Sequence, residues 1–233
     1  MEHPLPYTTE ATACDNHGSM RTRIIELILL FGVLPAVLLA VRSQGIRVAP
    51  LPVLWMAAGA CLLLLWRSGR APVGETRQPT DARTRRQARI EVIITVLIGS
   101  GLLLILYPLI SSEPMARFPV ERPRLWLIVL VVYPMLSVVP QGIVFRRWFV
   151  DRYRPLLGNG ALLVLTGAAC FGWSHLLFGN VVAPLITALG GIFFMRTYLR
   201  SGSGWMADLQ HAILGDVAFT IGYGQWLYAG AVN

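Results

Sequence analysis

The chain has 233 residues, of which 55% are hydrophobic and 14% charged, with a mean hydropathy of +0.59. Soluble domains carry about a quarter charged residues, so this composition and its long apolar runs exclude a soluble domain and imply an all-α, polytopic membrane bundle. The net charge of +8 raises nucleic acid as a partner, but the arginines fall in loops between apolar runs, where membrane topology places them, and no nucleic-acid partner is expected.

Residues 1–22 read as a polar tail that carries Glu2, Glu10 and Asp15. No basic segment precedes an apolar one there, so no cleaved signal peptide is expected. Residues 23–233 read as one transmembrane helical domain. A spanning helix needs about 20 mostly apolar residues, and seven stretches qualify: 24–41, 50–66, 90–110, 125–150, 160–179, 181–198 and 204–223. Residues 67–89 form the one long loop, with seven arginines against Glu75 and Asp81. Counted over alternate compartments, the arginines divide 15 against 5. That asymmetry predicts a cytoplasmic N-terminus and 67–89 loop, and an outer C-terminus, as in a bacterial inner membrane. Cys14, Cys61 and Cys170 stand alone, with no disulfide frame and no zinc spacing. Cys61 and Cys170 are expected as buried small hydrophobes, and neither a metal nor a cofactor is expected.

Three polar stretches interrupt the apolar pattern. In Pro140–Arg147, Pro140 is expected to kink the fourth helix, and the helix must continue past it to span. Positions 142 and 146 share a helical face, so Gly142 leaves open space one turn from Arg146. An alternative has Arg146 and Arg147 both snorkelling to the interface. In the second stretch, Phe171 and His175 lie one turn apart. In the third, Asp208 and His211 are three residues apart, so the carboxylate can orient the imidazole. Gly215 is placed to let another helix or a substrate approach closely, and Asp216 lies deeper among apolar residues and needs a partner. An unpaired arginine in a bilayer costs at least about 2.5–3.5 kcal/mol. Arg146 is therefore expected to turn inward to Asp208, His211 or Asp216, with Asp216 the first choice and water filling the space at Gly142.

Together these stretches resemble the CAAX-protease and bacteriocin-processing (CPBP) family of intramembrane endopeptidases. That family carries Glu-Glu-x-x-x-Arg, then Phe-x-x-x-His, then His-x-x-x-Asn or a variant. Here the first reads Gln141-Gly142-Ile143-Val144-Phe145-Arg146, the second matches at Phe171 and His175, and the third starts at His211 with Gly215 in the fourth place after it. A bacterial branch is similar over longer stretches: it begins Pro-Gln-Glu and ends Phe-Thr-x-Gly-x-Gly, as Pro140-Gln141 and Phe219–Gly224 do here. The similar core covers roughly 125–228.

The resemblance implies an endopeptidase acting on a membrane-borne peptide or a C-terminal sorting tail. A glutamate and the first histidine would activate water, the second histidine and its polar partner would stabilise the oxyanion, and the arginine would support the glutamate. His175, His211, Arg146 and Asp216 are then the candidate catalytic residues, with Gln141, Gly142, Phe171, Asp208 and Gly215 lining the site. The departure is Gly142, which stands where the family has its second glutamate. It opens an alternative, a silent member that binds a membrane peptide or partner without cutting it. A second alternative is a small proton-coupled transporter that relays through Asp208, His211, Asp216 and His175, against which the lack of internal repeats argues.

Overall fold

The computed structural model describes residues 20–46, 48–67 and 82–227. The N-terminal tail up to residue 19 and most of the arginine-rich loop lie outside them. Most of the described residues are helical, with no strand among them. In lipid a helix satisfies its own backbone hydrogen bonds, which is why apolar runs of this length adopt it.

Six helices are long and apolar enough to cross a membrane: α1 (Met20–Ser43), α2 (Pro50–Arg67), α3 (Ala82–Ile110, with its apolar part from Arg86), α4 (Pro123–Leu157), α5 (Ala161–Phe178) and α6 (Val182–Ser201). The seventh expected span is α7 (Gly204–Ile221). It falls outside that set because it carries Asp208, Gln210, His211 and Asp216, and its partners are protein: it packs against α3, α4 and α6. Large apolar side chains such as Leu97, Ile105 and Leu109 of α3 are exposed, as a lipid-facing surface requires. α3 begins at Ala82, earlier than the expected 90.

Two local features aim α7. Gly202, in the left-handed region at φ 66°, ends α6, and the Ser203 side chain caps α7 by accepting from the Met206 amide. This tight turn sets α7 antiparallel beside α6. Along α4, the indole of Trp126 donates to Thr220 (3.0 Å), Tyr133 meets His211 (3.2 Å) and Arg146 meets Asp208 (2.8 Å). Rising numbers on α4 therefore pair with falling numbers on α7, and the two helices run antiparallel.

The fourth helix runs on past Pro140, as its expected length requires. α4 continues through it, with π-helical turns at Pro134–Val138 and Ile143–Trp148. Pro140 supplies no amide hydrogen, and wider turns on either side accommodate the gap in the hydrogen-bond ladder. Behind α4, Phe31 of α1 meets Phe145, Phe149 and Tyr153 edge-on, with ring centroids 5.4–6.0 Å apart. Glu26 of α1 accepts from Arg152 (2.9 and 2.5 Å) and from the Tyr153 hydroxyl (3.1 Å), which fastens α1 to the same face of α4. Cys61 is buried in this core, whereas Cys170 is only half-buried at its edge.

Candidate active site

The second π turn decides what α4 presents to α7. On an α-helix adjacent residues point about 100° apart, which would send Arg146 and Arg147 in different directions. A π turn holds more residues, so neighbours diverge less. Both guanidiniums reach one carboxylate: Arg146 Nη2 donates to Asp208 Oδ1 (2.8 Å) and Arg147 Nη2 to Asp208 Oδ2 (2.5 Å). Arg146, Arg147 and Asp208 are only 2%, 5% and 4% exposed, so this is an internal cluster rather than an interfacial one. Arg146 lies over the Phe194 ring and Arg147 over Trp205, and these faces offset part of the desolvation.

Arg146 turns inward to α7 as expected, and two details are corrected. Its partner is Asp208 and not the first choice Asp216, and neither arginine takes the alternative of snorkelling. The antiparallel register gives the reason: Asp216 lies eight residues beyond Asp208 on α7, about 12 Å further along, between the levels of Tyr133 and Trp126. Its Oδ1 is buried without a hydrogen-bond partner among the described residues. Nor is there open space beside Gly142. A Cβ placed there would fall on the Asp208 carboxylate and come within 2.7–2.8 Å of the Arg147 and Arg146 guanidinium nitrogens.

Gly215 repeats the arrangement with the helices exchanged. A Cβ there would overlap the Tyr133 hydroxyl and ring. Thus α7 sends a carboxylate into the place of a side chain at 142 on α4, and α4 sends a phenol into the place of a side chain at 215 on α7. The close approach expected at Gly215 is made by Tyr133.

The histidines arrive from different helices. His175 starts a single 3-10 turn at the end of α5, so it is the last residue on that face rather than one deep in a straight helix. Its Nδ1 lies 2.7 Å from the Phe171 carbonyl. A carbonyl only accepts, so Nδ1 carries the proton and Nε2 of the neutral ring keeps its lone pair. His211 is buried, stacked on Phe194 at 4.5 Å, with Nε2 3.2 Å from the Tyr133 hydroxyl. Tyr133, not Asp208, holds His211: among the described residues Asp208 makes no hydrogen bond to the imidazole, whose Nε2 meets the phenol. The Phe171 ring meets both histidines edge-on, with centroids 4.7 Å from His175 and 5.5 Å from His211. Gln141 stays outside this group: its amide donates to Ser137 of its own helix (2.9 Å).

The fold thus gathers Arg146, Asp208, His175, His211 and Phe171, keeps Gly142 and Gly215 as two points where a side chain of the facing helix lies against the backbone, and leaves Asp216 and Gln141 apart. Arg147, Tyr133 and Phe194 were not singled out in the sequence. Signals for two of them existed. Arg147 follows Arg146 in the same apolar run, and Tyr133 becomes Gly215's neighbour once α4 and α7 are set antiparallel. No group of three or more acidic, histidine or cysteine side chains suited to a metal occurs among the described residues.

Residues 123–215 match the family model described as type II CAAX prenyl endopeptidase, Rce1-like. No curated protein and no solved structure matches. The matched stretch begins at the first residue of α4 and ends at Gly215 of α7, so it takes in each side chain of the cluster just described. In the part that builds the site, this chain is similar to the type II CAAX prenyl endopeptidases.

Proposed function

We propose that the protein is an intramembrane endopeptidase of the CAAX type, working slowly because the carboxylate of its arginine cluster accepts from the arginines and not from its histidines. The observation that carries this reading is the convergence of His175 and His211, from separate helices, on the ring of Phe171. His175 Nε2 has the lone pair needed to take a proton from water. The water oxygen adds to the scissile carbonyl carbon, His211 and its neighbours donate to the developing oxyanion, and the proton on His175 passes to the leaving amine as the C–N bond breaks. Asp208, accepting from two arginines, balances part of their charge. The substrate is a membrane-associated peptide, cut near its C-terminal tail.

A base without a supporting carboxylate forgoes part of the roughly 10²–10⁴-fold that positioned proton transfer provides. Gly142 and the engaged Asp208 therefore also favour a second reading, a member that binds a membrane peptide without cutting it. The arginine asymmetry supports a cytoplasmic N-terminal side, which places the Arg146–Asp208 level in the cytoplasmic half of the bilayer.

The test is the full chain in lipid vesicles, with a fluorescence-quenched peptide that ends in a prenylated cysteine and three further residues. Slow cleavage that is lost in His175→Ala and in His211→Ala is expected. Cleavage undiminished in His175→Ala overturns the mechanism. Saturable binding of the peptide without any cleavage establishes the second reading instead.

A further inference from the structure

We infer that Tyr133 is the positioning residue of His211: it fixes the imidazole through Nε2 and leaves the pair one donor hydrogen for a substrate oxygen. The inference rests on the proposed endopeptidase reading only in assigning that hydrogen a use.

The geometry is specific. Tyr133 Oη lies 3.2 Å from His211 Nε2, and the rings meet edge to face with centroids 6.2 Å apart. Phe219 packs edge-on against the phenol at 5.0 Å. The hydroxyl occupies the place a side chain at Gly215 would take, so glycine there is what admits it. On the imidazole's other side, Nδ1 is buried with no hydrogen-bond partner among the described residues. A neutral imidazole and a phenol hold one N–H and one O–H between them. Their mutual hydrogen bond uses one of these hydrogens. If the phenol donates, the Nδ1 hydrogen remains; if Nε2 donates, the phenol hydrogen remains. In both tautomers one donor is left in a site walled by Phe171 and Phe194, where a hydrogen bond to a developing anion counts for more than in water.

The sequence pattern singles out His211 and Gly215 but assigns nothing to α4 at this level. The tertiary structure shows the hydroxyl coming from α4, from a residue that precedes the arginine motif. Position 133 is also held by close packing rather than reached by a flexible side chain, so the hydroxyl is preorganised.

Tyr133→Phe keeps the ring and its packing and removes only the hydroxyl. In vesicles with the prenylated peptide, it is expected to lower kcat about 10²-fold, the scale of losing one oxyanion-type donor, with KM unchanged. The second measurement needs no turnover: ¹⁵N spectra of histidine-labelled protein, with the His211 signals assigned by their loss in His211→Gln. Tyr133→Phe is expected to move the His211 Nε2 resonance and its titration, and to leave those of His175 in place. If the unmodified protein cleaves and Tyr133→Phe cleaves with equal kcat, the inference falls and the endopeptidase reading stands. If nothing is cleaved but the His211 resonance responds, the endopeptidase reading falls and the positioning of His211 by Tyr133 stands. An unmoved His211 resonance overturns the inference whatever the activity.

Discussion

Asp208 fills the space that a side chain at Gly142 would need, and it brings there the carboxylate that Arg146 and Arg147 share. The absence of a side chain on α4 and the presence of an acid on α7 are thus one feature. A carboxylate from either helix would satisfy the arginines, but only one fits at a time, because the two positions compete for the same volume.

Gly142→Glu alone is therefore not expected to switch cleavage on. Its Cβ meets the buried Asp208 carboxylate, and overpacking of a filled interior costs about 1–3 kcal/mol. The single variant should melt below the unmodified protein in detergent micelles, and Gly142→Glu combined with Asp208→Ala should recover the loss and cleave faster than either single variant. A single Gly142→Glu variant as stable as the parent would show that the site is looser than described.

Asp208 and Asp216 should respond very differently to the same change. Asp208→Asn leaves two buried guanidiniums without a counter-charge, a loss of about 3–5 kcal/mol for a broken internal pair. Asp216 has no ion-pair partner in the described residues, and its buried Oδ1 accepts no hydrogen bond, so Asp216→Asn should leave the melting temperature nearly unchanged. Thermal unfolding of both variants side by side decides it; a larger loss at 216 would contradict the register of α4 against α7.

Gly172 sets the distance between α5 and α6, and through it the height of His175. A Cβ there would lie 2.6 Å from the Ala188 Cβ and 2.7 Å from the Pro184 carbonyl oxygen. Backbone cannot yield as a flexible side chain does, so Gly172→Ala must push the helices apart, again at about 1–3 kcal/mol. Lower thermal stability is expected, together with a kcat loss larger than any change in KM, because His175 lies one turn beyond on the same helix. Melting curves and vesicle kinetics on the one variant measure both.

Much of this was legible before any coordinates. The apolar runs located the helices because a bilayer accepts little else. The spacing within each motif held because residues three and four apart share a face of one helix, which is why Phe171 does lie against His175. Arg146 was read as internal because an isolated charge in lipid is costly, and it is internal.

What failed was the level at which α4 and α7 meet. Asp216 looked the better partner because it is the less hydrated acid along the chain, but hydration along one helix says nothing about the level at which another helix crosses it. From the residues alone one could read which segments are helical and which polar groups are hidden, and the family resemblance added that α4 carries glycine at 142 where a carboxylate is expected. Which carboxylate meets the arginines was set by tertiary packing. The π turn swung Arg147 beside Arg146, and the antiparallel register brought Asp208 to Gly142 and Tyr133 to Gly215. Pairing across helices depends on relative axial shift and rotation, and these are set by close packing at a few small residues whose neighbours lie, for Gly142, more than 60 positions away in the chain.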